Sequence, residues 1–195
     1  RSSDLAVRAA RGHGLAKNSL FQEEFSGTAT PPQWTAGTGG TGTFITKPLG
    51  DGKCFQMNGG ASAEALCNQD LTSVQASLTY LLCAEVRRQS GTLNGAGLSV
   101  NWRNVSNTII GTSTIQLATD ADTSGVASST PDGPHRWEKI VTAPVGATNA
   151  ILYFGSHISG FDGGITVANS IAWYEVDLIP MTLVAQLRAD VTGSN

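Results

Sequence analysis

Val74, Ala76, Leu78, Tyr80, Leu82, Ala84 and Val86 occupy alternate positions of one continuous stretch. Successive side chains of extended backbone point to opposite sides, so this row predicts a long strand with one buried face. Leu81 and Cys83 on the other parity predict partial burial of the second face as well. Leu98, Val100 and Trp102 repeat the pattern, and Ser99, Asn101 and Arg103 alternate with them and point the other way. Ile109, Ile110, Ile115 and Leu117 mark a further strand or two before a polar linker from Ala118 to His135. The last third holds a strand over Arg136–Ala143, a turn at Pro144-Val145-Gly146-Ala147, and a second strand over Ala150–Gly155. After a polar loop, Ser170–Leu178 supplies a third. Turn residues separate these runs at the spacing of an antiparallel β-sandwich, so the fold class read from the pattern is all-β.

The two ends depart from that period. Ser2, Ser3 and Asp4 offer helix N-caps, Leu5 to Arg11 holds good helix formers, and Gly12 can stop them, so residues 1–17 read as a helical segment. At the other end Pro180 closes the sheet and Thr182 is a candidate N-cap. Leu183, Val184, Leu187 and Val191 make one apolar stripe, with Gln186, Arg188 and Asp190 outside it. A helix this short is marginal alone, so it is expected to pack on the same helix of neighbouring chains or to continue. The expected organisation is a helical segment over 1–17, a sandwich over 18–180 and a helical linker over 181–195. The chain opens on Arg1, not Met, which reads as a fragment or a processed product.

Composition narrows the function classes. Charged residues are 14% and Gly numbers 23 in 195 residues. Little charge and much glycine suit short strands and many turns, not a helical protein. The net charge is −3, and Arg87-Arg88 is the only basic doublet. No basic stripe marks a nucleic-acid binder, and no apolar run reaches the length of a membrane span.

The three cysteines, Cys54, Cys67 and Cys83, include no Cys-x-x-Cys, and His13, His135 and His157 are scattered, which argues against an ordinary zinc site. Cys54 and Cys67 flank a turn and could face each other across paired strands. The other reading, buried free thiols, is favoured by the odd count. Gly37-Thr38-Gly39-Gly40-Thr41-Gly42 matches a dinucleotide-binding string, but a strand-like Thr43-Phe44-Ile45-Thr46 follows where that mechanism needs a helix. Asp120-Ala121-Asp122 opens like a calcium loop, yet the twelfth position is Pro131 where a bidentate Glu is required. No Gly-x-Ser-x-Gly elbow occurs. Glu23, Glu24, Glu64, Glu138 and Glu175 carry no sign of the paired spacing that glycosidic hydrolysis needs. Asn104-Val105-Ser106 is a glycosylation sequon, meaningful only in a eukaryotic secreted protein. The expectation is a protein that is not an enzyme.

The four tryptophans are Trp34, Trp102, Trp137 and Trp173. A sugar offers apolar C–H faces that stack on aromatic rings and hydroxyls that pair with amides, carboxylates or Arg. Core packing is the other use of a sandwich Trp. Parity assigns Trp102 to a buried row with Leu98 and Val100, and Trp34, after Pro31-Pro32, plugs one end. On the last strand Tyr174, Val176 and Leu178 form the apolar row, which leaves Trp173, Glu175 and Asp177 together on the other face. An aromatic with two acids is a ligand face or a protomer interface. The glycine-hinged loop from Ser156 to Gly164 adds His157, Phe161 and Asp162, either as ligand contacts or as a plain strand connection. With Arg103, these are the candidate binding residues.

The order of these runs resembles the carbohydrate-binding β-sandwich modules of secreted glycan-active proteins and phage tail fibres. Asn18-Ser19-Leu20-Phe21 followed by Trp34 is similar to their opening, Cys54-Phe55-Gln56-Met57 to an early core strand, Leu78–Val86 to the central strand, and Trp137–Ala147 to a late strand and its turn. The resemblance covers roughly Asn18 to Pro180. It implies a jelly roll that binds without covalent chemistry. In many such modules a structural calcium sits between an acid after the first-strand Phe and an acid in the last strand. Here Gln22 follows Phe21, so the first acid is displaced or missing, and Asp177 could match the second; the metal stays unassigned, a structural calcium is possible and no other cofactor is implied. The flanking helical segments resemble the linkers of phage tail-fibre and host-recognition proteins, most of which are trimers. That branch implies a receptor-binding module on the virion tail or the surface of a phage-like particle. Its partners would be cell-surface polysaccharide and other fibre subunits of a homotrimer, with no nucleic acid and no membrane span. The alternatives are a structural spacer or trimerisation domain of the fibre, and an ancillary module of a secreted polysaccharide-degrading enzyme.

Overall fold

The computed structural model describes residues 13–23, 27–37, 42–59, 65–91, 93, 95–117, 131–156, 161 and 169–193. Within them the chain forms β1 (Thr28–Ala29), β2 (Thr35–Ala36), β3 (Gly42–Thr46), β4 (Lys53–Gly59), β5 (Ala65–Leu71) and β6 (Thr79–Ser90). There follow β7 (Gly97–Arg103), β8 (Ile109–Gln116), β9 (Asp132–Thr142), β10 (Asn149–Ser156), β11 (Asn169–Pro180) and one helix, α1 (Met181–Gly193). Two sheets result. Sheet A has the order β1-β3-β4-β11-β6-β9, and sheet B the order β2-β5-β10-β7-β8. Every pairing is antiparallel. This is the antiparallel β-sandwich expected from the alternation.

The apolar row of β6 faces inward as predicted, with Tyr80, Leu82, Ala84 and Val86 in the core. The strand starts later than its apolar row, because Ser77 takes a φ of 62° and its N–H bonds to the Ala143 carbonyl. That left-handed turn ends the extended run between Val74 and Thr79. The core between the sheets is rich in aromatic rings. Trp34 meets Phe154 edge-on at 4.8 Å, and Phe154 touches Trp173 at 4.9 Å and Phe21 at 5.4 Å. Trp102 is buried as parity required, against Tyr80 and with its Nε1 donating to Ser113 Oγ at 3.0 Å. Each such ring contributes on the order of 2–3 kcal/mol by leaving water.

The last strand breaks its own parity. Trp173 stands opposite Val86 and Glu175 opposite Glu85, so two residues of β11 face one of β6 across a β-bulge at Tyr174. Before the bulge Ile171 and Trp173 enter the core, and after it Val176 and Leu178 do. Tyr174 is turned to the outer side of sheet A, where it packs with Cys54 and Ala172. The expected row of Tyr174, Val176 and Leu178 is therefore corrected: one extra residue shifts the phase.

Segments near both termini pack on or beside sheet A. β4 pairs with β11 over Asn169–Trp173. Beyond that, residues 15–19 continue the edge, with Leu15 N–H bonding to Leu178 O and Val176 N–H to Ser19 O, both at 2.9 Å. Residues 13–17 run as bends and a turn, not as helix, while the predicted helix up to Gly12 lies outside the described residues. At the other terminus α1 begins at Met181, so Thr182 sits inside its first turn. Its stripe does not wait for a neighbouring chain. Val184 packs on Leu81, Cys83 and Ile179, flanked by Met181, Leu183 and Leu187. Cys54, Cys67 and Cys83 are all free and buried. Cys67 belongs to the core between the sheets, whereas Cys54 and Cys83 lie in separate clusters outside sheet A. A Cys54–Cys67 bond is thereby ruled out, and the free-thiol reading holds.

Candidate functional site

The strands of sheet B alternate cleanly. β5 buries Ala65, Cys67 and Leu71 in the core, and β10 and β7 add Ala150, Leu152, Phe154 and Leu98, Val100, Trp102. The opposite parity gathers a second set of side chains on the outer face. Register fixes two rows across four strands: Asn68, Tyr153, Ser99 and Thr114, then Asp70, Ile151, Asn101 and Thr112. Next to them Asn149 is paired with Arg103. Tyr153, Asn68 and Asn101 are partly buried, Asp70 and Thr112 are exposed, and Ser99 and Ile151 are nearly covered. Burial is thus greatest in the middle of the face.

Hydrogen bonds orient these groups. Asn101 Oδ1 accepts from Thr112 Oγ1 at 3.0 Å and from Ser99 Oγ at 3.5 Å. Two hydroxyl donors fix the oxygen side of the amide, which leaves Nδ2 as its donor toward a ligand. Arg103 Nη1 reaches across β10 to Asp70 Oδ1 at 3.3 Å. At this end the face deepens into a cleft of about 380 Å³ lined by Asp70, Leu71, Thr72, Arg103, Asn107, Thr148 and Asn149. The 104–108 turn beside it is stiff, since Asn104 Oδ1 accepts from the backbone N–H groups of Ser106 and Thr108, both at 3.0 Å. Asn149 Nδ2 ties strand to turn by donating to Asn104 O at 3.2 Å. An aromatic ring among amides and hydroxyls can stack on a sugar's C–H face while the polar groups pair with its hydroxyls.

The predicted site residues divide three ways. Arg103 lies in this cleft. Phe161 packs against Gly97, at the opposite end of β7, where a Cβ would come within 2.6 Å of the ring. Trp173, Glu175 and Asp177 do not form a ligand face, because all three side chains are fully buried. Trp173 is core. Glu175 is bonded by Arg136, which also holds Glu138. Asp177 binds the N-terminal segment, accepting from Gly14 N–H at 3.1 Å, Ala16 N–H at 3.2 Å and Leu178 N–H at 2.8 Å. Burial pushes its carboxyl up to about 6, against the pull of those N–H donors. His157 and Asp162 lie outside the described residues, as do most of the glycine string at 37–42 and nearly all of the acidic loop at 120–131.

The calcium found in many modules of the resembling kind, left unassigned from the sequence, is tested by donor chemistry. A calcium ion needs a shell of oxygens. Around Asp177 the partners are backbone N–H groups and the Ser19 hydroxyl, all donors to it, and Gln22, which follows Phe21, donates its Nε2 to the carbonyls of Leu20 and Lys53. The residues do not fit the ion. Among the described residues no group of three or more His, Cys, Asp and Glu could hold a metal. No helix of the described residues is long and apolar enough to cross a membrane.

Asn68, Asp70, Ser99, Asn101 and Tyr153 escaped selection from the sequence, although their signal was present. Tyr153 alternates with Leu152 and Phe154, and Ser99 and Asn101 share the parity of Arg103.

The sandwich resembles part of a phage tailspike. Over 86% of this chain, and 21% of the other, it superposes on the enzymatically active domain of bacteriophage CBA120 tailspike protein 4 with a TM-score of 0.56 at 15% identity. An arabinose-bound α-L-arabinofuranosidase matches with a TM-score of 0.54 at 11% identity, over 86% of this chain and 26% of that one. A carbohydrate-binding module in complex with β-1,4-galactotriose aligns over 86% of this chain and 98% of its own, with a TM-score of 0.47 at 9% identity. The chain thus spans about a fifth to a quarter of the first two. No protein-family model matches the sequence, and no curated protein matches it.

Proposed function

We propose that this chain is a non-catalytic glycan-binding module whose ligand lies on the outer face of sheet B, across Tyr153. The observation that carries the reading is the row Asn68–Tyr153–Ser99–Thr114 beside Asp70–Ile151–Asn101–Thr112. It sets one aromatic ring among amide and hydroxyl groups on a rigid sheet. Four strands fix the spacing, so little ordering entropy opposes binding. The setting we favour is a receptor-binding module of a phage or phage-like tail fibre that recognises host surface polysaccharide as a homotrimer. The tailspike likeness supports it. The arabinofuranosidase likeness supports a second setting, an ancillary module of a polysaccharide-degrading enzyme. A spacer role that depended on Trp173 meeting another protomer loses its basis, since Trp173 is buried within its own chain.

A glycan array probed with wild type, Tyr153→Ala and Asn101→Ala tests the site. Loss of a stacked ring should weaken binding by roughly tenfold or more, about 1.4 kcal/mol. Wild-type binding left intact in both variants would remove the ligand from this face. Light scattering at high concentration tests the setting: a clean monomer would count against the trimeric fibre.

A further inference from the structure

We infer that the Asp70–Arg103 pair sets the class of sugar, making this face select uncharged polysaccharide over uronate- or sulfate-bearing polysaccharide. The inference rests on the proposed glycan-binding face and adds its selectivity.

The argument starts from charge. The two rows and the adjoining Asn149–Arg103 pair carry two charged side chains, Asp70 and Arg103, and these neutralise each other at 3.3 Å. The other polar groups are amides and hydroxyls. Lys139, from β9, is engaged with the Thr114 carbonyl at 2.9 Å. Arg103 stays charged at any ordinary pH. Alone in a cleft its planar fork would be a ready receptor for a carboxylate or sulfate. Asp70 cancels that attraction from the exposed side: its side chain is 73% accessible, against 23% for Arg103. An anionic group approaching the guanidinium through the cleft meets the Asp70 carboxylate first, and such like-charge contact is a common means of rejecting a wrong ligand.

The guanidinium keeps capacity for a neutral partner. A guanidinium carries five N–H donors, and Asp70 engages it through Nη1. A sugar hydroxyl or ring oxygen seated among Thr72, Asn107 and Asn149 could accept from it. A neutral acceptor gains a charge-assisted hydrogen bond there without displacing the carboxylate.

The test is a polysaccharide array holding neutral, uronate-bearing and sulfated members, read with wild type, Asp70→Asn and Asp70→Asn/Arg103→Gln. Wild type should bind neutral members. In Asp70→Asn the ratio of acidic to neutral binding should rise about threefold to fivefold, the scale of one unmasked charge contact in a partly exposed site. The gain should vanish in the double variant and fall with added salt. Strongest wild-type binding to acidic members, or an unchanged ratio in Asp70→Asn, overturns the selectivity while leaving the glycan-binding face standing. No binding by any variant to any member overturns both. Asp70 is exposed and outside the core, so Asp70→Asn is expected to fold as wild type does.

Discussion

At the scale of single residues, Asp177 shows how a polar side chain can be structural while looking functional. Its carboxylate is fully buried and accepts three backbone N–H groups, two of them from the segment at residues 14–16. Desolvation wins over these donors and over Ser19, and the neighbouring charge of Glu175 pushes the same way, so its pKa rises from 3.8 to about 6. A carboxyl with a raised folded pKa binds its proton more tightly in the native state. The stability from the neutral form is therefore fully present below about pH 4 and lost as the pH climbs through about 6. Denaturant titrations at pH 5 and pH 7 should show wild type gaining on the order of 1–2 kcal/mol at the lower pH relative to Asp177→Asn. An equal pH response in the two proteins would show that Asp177 does not titrate in this window. Trp173 teaches the related lesson about legibility. Its parity with Glu175 was plain in the sequence, and strict alternation put the three on one face. The bulge at Tyr174 reverses that, and a bulge is visible only once β11 is laid against β6. Tyr153 sits on an unbulged strand, so alternation alone would have placed it on the outer face.

At the scale of elements, α1 was legible as a helix, but its docking surface was not. Leu183, Val184 and Leu187 form a stripe in any helical register. Leu81, Cys83 and Ile179 become one apolar patch only when β6 and β11 pair at Ile179–Leu81 and Asp177–Cys83. Val184 closes over that patch with 1% of its surface exposed. Burial pushes the Cys83 thiol well above its ordinary range, and it pushes Cys54 and Cys67 up to about 12. All three should be inert to alkylating reagents at neutral pH, because the reactive species is the thiolate and none is accessible. Val184→Asp sets a charge in the patch and should undock the helix. Mass spectrometry should then find Cys83 alkylated at least about tenfold faster, through local opening, with Cys54 and Cys67 as slow as before. Equal acceleration of all three would mean global unfolding, and no change at Cys83 would mean that Val184 does not hold the helix down.

At the scale of the whole molecule, the two outer faces have different uses. Sheet A carries the chain's own parts: α1 on the outer patch of β6 and β11, residues 15–19 along the edge of β11, and the Arg136 network with Glu175 and Glu138. Sheet B presents the mixed row of ring, amides and hydroxyls around Tyr153. Strand order decides this division, and no local pattern encodes it; Asn68, Tyr153 and Ser99 meet from β5, β10 and β7, up to 85 positions apart in Asn68 and Tyr153. The asymmetry gives a direct readout of where a ligand binds. Hydroxyl-radical footprinting should show oxidation of Tyr153 falling several-fold when the best-bound neutral polysaccharide of the array is added. Ile140, on β9 of sheet A and 64% exposed, is the internal reference, as its oxidation depends on radical dose and not on sheet B. A fall at Tyr153 with Ile140 steady places the sugar on sheet B. A fall at Ile140 with Tyr153 steady moves it to the side of β9 and α1, and the face across Tyr153 would then be surface alone. Linked copies would multiply a weak single-site affinity through effective concentration, so the footprint is best read on the free protein, where one face meets one chain of sugar.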